Sequence, residues 1–123
     1  MNVFDAIHEA DALLPGEPVE EGPDPRWQAI IRIGEHVESD PEPIWAFIRR
    51  WASHPQEDLR NAVATCLLEH LLEYHFDAYF PQVEAEALAS PLFANTFQKC
   101  WAFGQSEKPS TAERFGALRA RLG

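Results

Sequence analysis

From Leu59 to Tyr74 the chain reads LRNAVATCLLEHLLEY, and its apolar positions recur at helical spacing. On a helical wheel Leu59, Val63, Leu67, Leu71 and Tyr74 fall on one side, while Leu68 and Leu72 lie well round on another. A helix apolar over more than half its circumference must be covered from two directions, so this segment is expected at the centre of the fold. Narrower stripes flank it. Trp27, Ile30, Ile31, Gly34 and Val37 form one, and Ile44, Phe47, Ile48 and Trp51 the next. Phe93, Phe97, Cys100 and Trp101 form a third, and Phe115, Leu118 and Leu122 a weaker last one. Runs of Val, Ile and Thr at period two are absent, so no strand is expected.

Proline with a capping residue before it separates these stripes. Asp24-Pro25, Asp40-Pro41 and Ser90-Pro91 each place an N-cap side chain ahead of a proline at the first helical position, where its missing N–H costs nothing. His54-Pro55 and Phe80-Pro81 mark weaker starts, Ser110-Thr111-Ala112-Glu113 reads as a capping box, and Gly104 reads as a C-cap. The expected helices run near 2–14, 25–38, 42–53, 56–74, 81–89, 91–103 and 111–122. Short connections predict an all-α fold of antiparallel helical hairpins, HEAT-like or an irregular bundle of six to seven helices. Residues 15–25, PGEPVEEGPDP, read as an acidic Pro/Gly-rich linker. Residues 1–24 are therefore expected to be a loosely docked first helix plus linker, and 25–123 a single helical domain.

Charge changes this picture from a generic bundle to an acidic one. Twenty acidic residues against ten basic ones give a net charge of −10. No Lys or Arg precedes Arg26, and none lies between Arg60 and Lys99, where Glu69, Glu73, Asp77, Glu84 and Glu86 occur. Such a field repels phosphate backbones, so nucleic acid is not an expected partner and a basic protein is. The N-terminal MNVFDAIHEADALL has neither the positive leader nor the apolar run of a signal peptide, and no segment approaches a membrane span. A cytoplasmic protein is expected. Cys66 and Cys100 each sit inside an apolar pattern, as reduced thiols do.

Candidate chemistry gathers on the less apolar side of the central helix. Cys66, Glu69, His70 and Glu73 share one stripe there, and all are metal-ligand types, although His70-x-x-Glu73 reverses the order used in di-iron bundles and has no second copy. His75 and Asp77, with Tyr74 and Tyr79 around them, fall where a hinge is expected and suggest acid–base chemistry. Trp45 lies off its helix's main stripe and reads as an exposed interface anchor or as part of a helix buried on two sides. Phosphate-cradling glycine loops, nucleophile elbows, Cys-x-x-Cys and His-Glu-x-x-His are all missing, so no catalytic residue, cofactor or metal is assigned.

Three stretches carry a likeness to known proteins: LLEHLLEYHFDAYF at Leu67–Phe80, the Val83-Glu84 pair, and Cys100-Trp101-Ala102-Phe103-Gly104. Over Pro41 to Gly104 the chain resembles a group of small, uncharacterised bacterial helical proteins with HEAT-like hairpins, some thought to neutralise toxins or serve as binding modules. The resemblance implies a helical fold and carries over no catalytic residue. The expected function is a non-enzymatic interaction module, of immunity or antitoxin type, that binds a basic protein through Glu69, Glu73, Asp77, Glu84, Glu86 and Trp45. One alternative is a metal-binding protein or enzyme built on Cys66, Glu69, His70 and Glu73, with His75 nearby. Another is a homodimer or larger homo-oligomer that covers Trp45 and the second apolar side of the central helix.

Overall fold

Three helices begin where the proline marks predict. In the computed structural model, which describes residues 1–123, α2 (Pro25–Gly34), α3 (Pro41–Trp51) and α6 (Pro91–Gln98) each open on a proline. The Asp24 carboxylate accepts the Arg26 N–H at 2.9 Å and the Ser90 hydroxyl accepts that of Phe93 at 3.2 Å. Asp40 holds its N-cap place without a capping bond, and its carboxylate accepts the Ser39 hydroxyl at 3.0 Å. The expected box at Ser110–Glu113 does not form. Helix α7 (Pro109–Leu122) starts earlier, and Thr111 turns its hydroxyl back to the carbonyls of Gln105 and Lys108.

The Leu-rich segment is the centre, as its two-sided apolarity requires, but it is longer and less regular than a single helix. It runs as α4 (Glu57–Val63), a π-helical turn (Ala64–Leu68) and α5 (Glu69–Ala89). Phe80-Pro81 therefore starts nothing; Pro81 lies inside α5, and the break is a kink at His75 (φ −139°, ψ 45°). The π-helical turn packs on α2, α3 and α6, and the Cys66 carbonyl presses on Gly34, where a Cβ would come within 2.8 Å of it. Leu59, Leu67, Leu68, Leu71 and Leu72 are all sealed from water. At roughly 1.5–3 kcal/mol for each fully buried leucine, this rod concentrates the stability of the fold.

Six rods thus build an all-α irregular bundle, with no strand. Packing does not follow chain order throughout: α2 lies on α1 (Val3–Leu13), α4 and the π-helical turn rather than on α3. Nor is α1 a loose arm. Val3, Ala6 and Ala10 are buried in the common core, Asp11 accepts the Trp51 indole N–H at 2.8 Å, and Asp11 and Glu9 pair with Arg50 and Arg32. Helix α6 ends at Gln98, so Gly104 caps nothing; it opens a 3₁₀ turn (Gly104–Glu107).

Two tryptophans resolve in opposite directions. Trp45 is buried, its ring 6.0 Å from Tyr79 and 6.1 Å from Phe93, because its helix is covered on two sides. It is not an exposed anchor, and with Leu68 and Leu72 also inside, the apolar surface expected to drive self-association is absent. Trp101 leaves the core stripe entirely and is 68% exposed, because α6 stops three residues before it.

Candidate functional site

The kink at His75 decides which acids face the same way. His75 Nε2 stands 3.1 Å from the Val37 carbonyl oxygen and 2.9 Å from that of Glu38. Two acceptors require a donor, so this nitrogen carries the proton. The contact ties the α2–α3 loop to α5. That loop belongs to a second stretch without Lys or Arg, between Arg32 and Arg49, which holds Glu35, Glu38, Asp40 and Glu42. None of these four joins an ion pair. Tyr79 packs edge-on against His75 at 6.4 Å, and burial first, then the charge of Glu42, push its hydroxyl above the ordinary tyrosine value. Two acid-only stretches distant in sequence therefore meet along the Val37–Glu42 and Glu73–Tyr79 segments.

The five acids expected to face a partner divide. Glu69 is 5% exposed and accepts the Trp101 N–H at 3.1 Å, so it is not a surface charge. The cause lies in the preceding π-helical turn: an i→i+5 turn takes one residue more than an α turn and rotates the residues beyond it by about 100° on the wheel. Glu73 is half-buried and bonded to His70 Nδ1 at 2.7 Å. Asp77 is exposed with Arg114 at 3.8 Å, Glu86 pairs with Arg49 at 3.0 Å, and Glu84 is unpaired and half-buried.

The alternative polar cluster assembles only in part. His70 turns to Glu69, Glu73 and the ring of Phe103, whereas His75 turns to the α2–α3 loop. Burial chiefly, with the charge of Glu69, raises the Cys66 thiol above its ordinary range, and burial holds that of Cys100 well above it. No three His, Cys, Asp or Glu side chains converge with metal-ligand geometry. The sizeable groove, about 610 Å³, lies elsewhere, between α6 and α7, lined by Ala94, Asn95, Gln98, Arg119 and Leu122.

What the wheel did not foresee is a strap, Trp101 to Ser106, laid along α5 rung by rung. Glu69 holds the Trp101 N–H, and the His70 ring stacks on Phe103 with centroids 5.9 Å apart and planes within 9°. Gly104, at φ +50°, lies so close to Glu73 that a Cβ would stand 2.9 Å from its carbonyl oxygen. Gln105 uses both ends of its amide at the kink, accepting the Phe76 N–H at 3.0 Å and donating to the Tyr74 carbonyl at 2.6 Å. The Ser106 hydroxyl, buried, donates to the Leu72 carbonyl at 3.3 Å. Cys100 and Ala102 point inward and Trp101 and Phe103 outward, a period-two alternation legible in Cys-Trp-Ala-Phe-Gly once the segment is taken as extended.

The sequence profile of a family of unknown function, DUF6869, matches residues 16–123, and the chain belongs to that family. Helix α1 precedes the matched region. No curated protein and no solved structure matches the chain. No helix is long and apolar enough to cross a membrane.

Proposed function

We propose that this family member is a non-enzymatic interaction module, acting in the cytoplasm, that docks a basic protein partner on the acidic face spanning the α5 kink. A role of immunity or antitoxin type, in which the partner is a basic toxin held inactive, fits that reading, as does a HEAT-like use of a helical scaffold to present one face. The observation that carries it is the bond from His75 to the Val37 and Glu38 carbonyls, which sets the unpaired Glu35, Glu38 and Glu42 beside the segment bearing Glu73 and Asp77. Acids concentrated with few balancing cations raise the encounter rate with a positive surface and lose that advantage as salt screens them.

Affinity capture from the source cell at low salt identifies the partner, and surface plasmon resonance then measures it. Lysine in place of Glu35, Glu38, Glu42 and Asp77 together is expected to slow association about tenfold or more at low salt, with the difference shrinking at high salt. The helical circular dichroism spectrum should not change. Capture of no basic protein at low salt, or an association rate indifferent to the four reversals, overturns the proposal.

A further inference from the structure

We infer that Trp101 and Phe103 form the anchor for a basic side chain of that partner, with an arginine from the docking segment lying against the exposed rings beside the Glu73 carboxylate. The inference rests on the acidic-face reading and gives it a centre. Trp101 is 68% and Phe103 38% exposed, and alternation along an extended segment puts both on one side. Exposure of two aromatic rings on a mobile tail would mean little. Here the backbone beneath them is fixed from Glu69 at one end to the kink at the other, through the Trp101 N–H, the Phe103–His70 stack, Gly104 against Glu73, and the Gln105 clasp. A ring held ready loses little further freedom on binding, a property that marks binding hot spots and favours tryptophan there.

Charge selects the occupant. Glu73 lies directly under Gly104, and Tyr74, 39% exposed, comes next along the helix. Most basic side chains in this part of the chain are engaged: Arg119 with the Gln98 and Cys100 carbonyls, Arg114 over the rings of Phe76 and Phe80 and near Asp77, and Lys99 with Glu57, while Lys108 lies exposed beyond the far end of the strap. An aromatic shelf with a neighbouring carboxylate suits a guanidinium, which stacks on the ring face and bonds the carboxylate in one pose. The net charge of −10 opposes both an anionic lipid surface and a second copy of this chain.

Isotope-labelled protein titrated with a short synthetic peptide bearing several arginines, and with the same peptide carrying citrulline instead, tests the assignment. The arginine peptide should shift the Trp101 indole N–H and the Phe103 and Gly104 backbone amide resonances saturably, and Trp101→Ala or Phe103→Ala, followed through the Gly104 amide, should weaken binding about tenfold or more with an unchanged helical spectrum. Citrulline should bind at least as weakly as those variants. Equal affinity for Trp101→Ala and the parent protein overturns the anchor. If in that case Glu38→Lys with Glu42→Lys still abolishes binding, the acidic face stands and the anchor alone falls. Equal binding of arginine and citrulline peptides, or no saturable binding of the first, overturns both.

Discussion

Two irregular segments are strapped to the central rod, and they are fastened by opposite means. Residues 15–24 are closed by a buried cation: the Arg26 guanidinium meets Asp24 at 2.7 Å, Asp58, the Gln56 amide oxygen at 3.0 Å and the Pro15 carbonyl at 2.9 Å. Residues 101–106 are closed by short neutral side chains and one buried carboxylate, and they leave their aromatic rings outside. The first strap turns a strong charge inward, where every donor has a partner; residues 15–23 themselves are exposed, but among them Val19 is the one large apolar side chain shown to solvent. The second directs its bonds to backbone groups of the kink and holds Trp101 and Phe103 up to solvent. A closure made only to stabilise the fold has no need of exposed tryptophan, and the N-terminal strap shows what such a closure looks like in the same molecule.

The largest expected effect is at the cation. Arg26→Ala leaves Asp24, Asp58 and the Pro15 carbonyl without their shared donor and should cost about 3 kcal/mol in urea unfolding. Its hydrogen bond to Arg26 holds the Asp24 carboxyl below the ordinary 3.8. A depressed acid contributes stability that is present above that value and lost as pH falls through its folded value. The parent protein should therefore lose part of its margin over Arg26→Ala on acidification below about 3.8. A margin constant with pH would show that Arg26 acts by packing, and the contrast between the straps would dissolve.

Both straps turn on a left-handed glycine, which allows a matched comparison. Gly104 (φ +50°) and Gly16 (φ +55°) each press on a carbonyl oxygen, Glu73 and Leu13 respectively, that a Cβ would approach to 2.9 Å, whereas Gly22 (φ +80°) faces open space. Alanine at Gly104 or Gly16 should cost about 2 kcal/mol and at Gly22 about 1 kcal/mol, since at Gly22 conformation alone is strained. For Gly104→Ala, hydrogen exchange should quicken first at the Phe76 amide, which the Gln105 side chain protects. Uniform quickening across α5 instead would mean that the strap is not a separate unit.

Most of the bundle was legible because helix starts and apolar stripes are local properties. Asp24-Pro25 and Ser90-Pro91 carry their capping chemistry within three residues, and Leu67, Leu68, Leu71 and Leu72 announce a two-sided core. The misplacements of Glu69 and Trp101 share one cause, which is that an even 100° step does not survive an inserted residue or an early helix end. The π-helical turn put Glu69 inside, and the early end of α6 put Trp101 outside. The acids at Glu35, Glu38, Asp40 and Glu42 were visible as a stretch without a cation. Their junction with α5 depends on His75 reaching across 37 residues to the Glu38 carbonyl, a contact that no local pattern encodes.

The smallest effect is the most specific to the C-terminal strap. Glu69 buries a carboxylate to hold one N–H, and burial raises its pKa above the ordinary 4.5, opposed by the Trp101 N–H and a charge on His70 and reinforced by Glu73. The folded protein thus keeps the proton to higher pH than the unfolded chain does. Below 4.5 both states are protonated; as pH rises from there through the folded value, stability is lost, because folding then requires an ionised group to stay buried. Glu69→Gln retains an oxygen for the Trp101 N–H and never ionises. It should match the parent in acid and exceed it slightly near neutrality, with the crossover above 4.5 in paired urea titrations. A parent protein that gains on Glu69→Gln as pH rises would instead mean that the charge is needed, holding strap and rod together as Arg26 does at the other end.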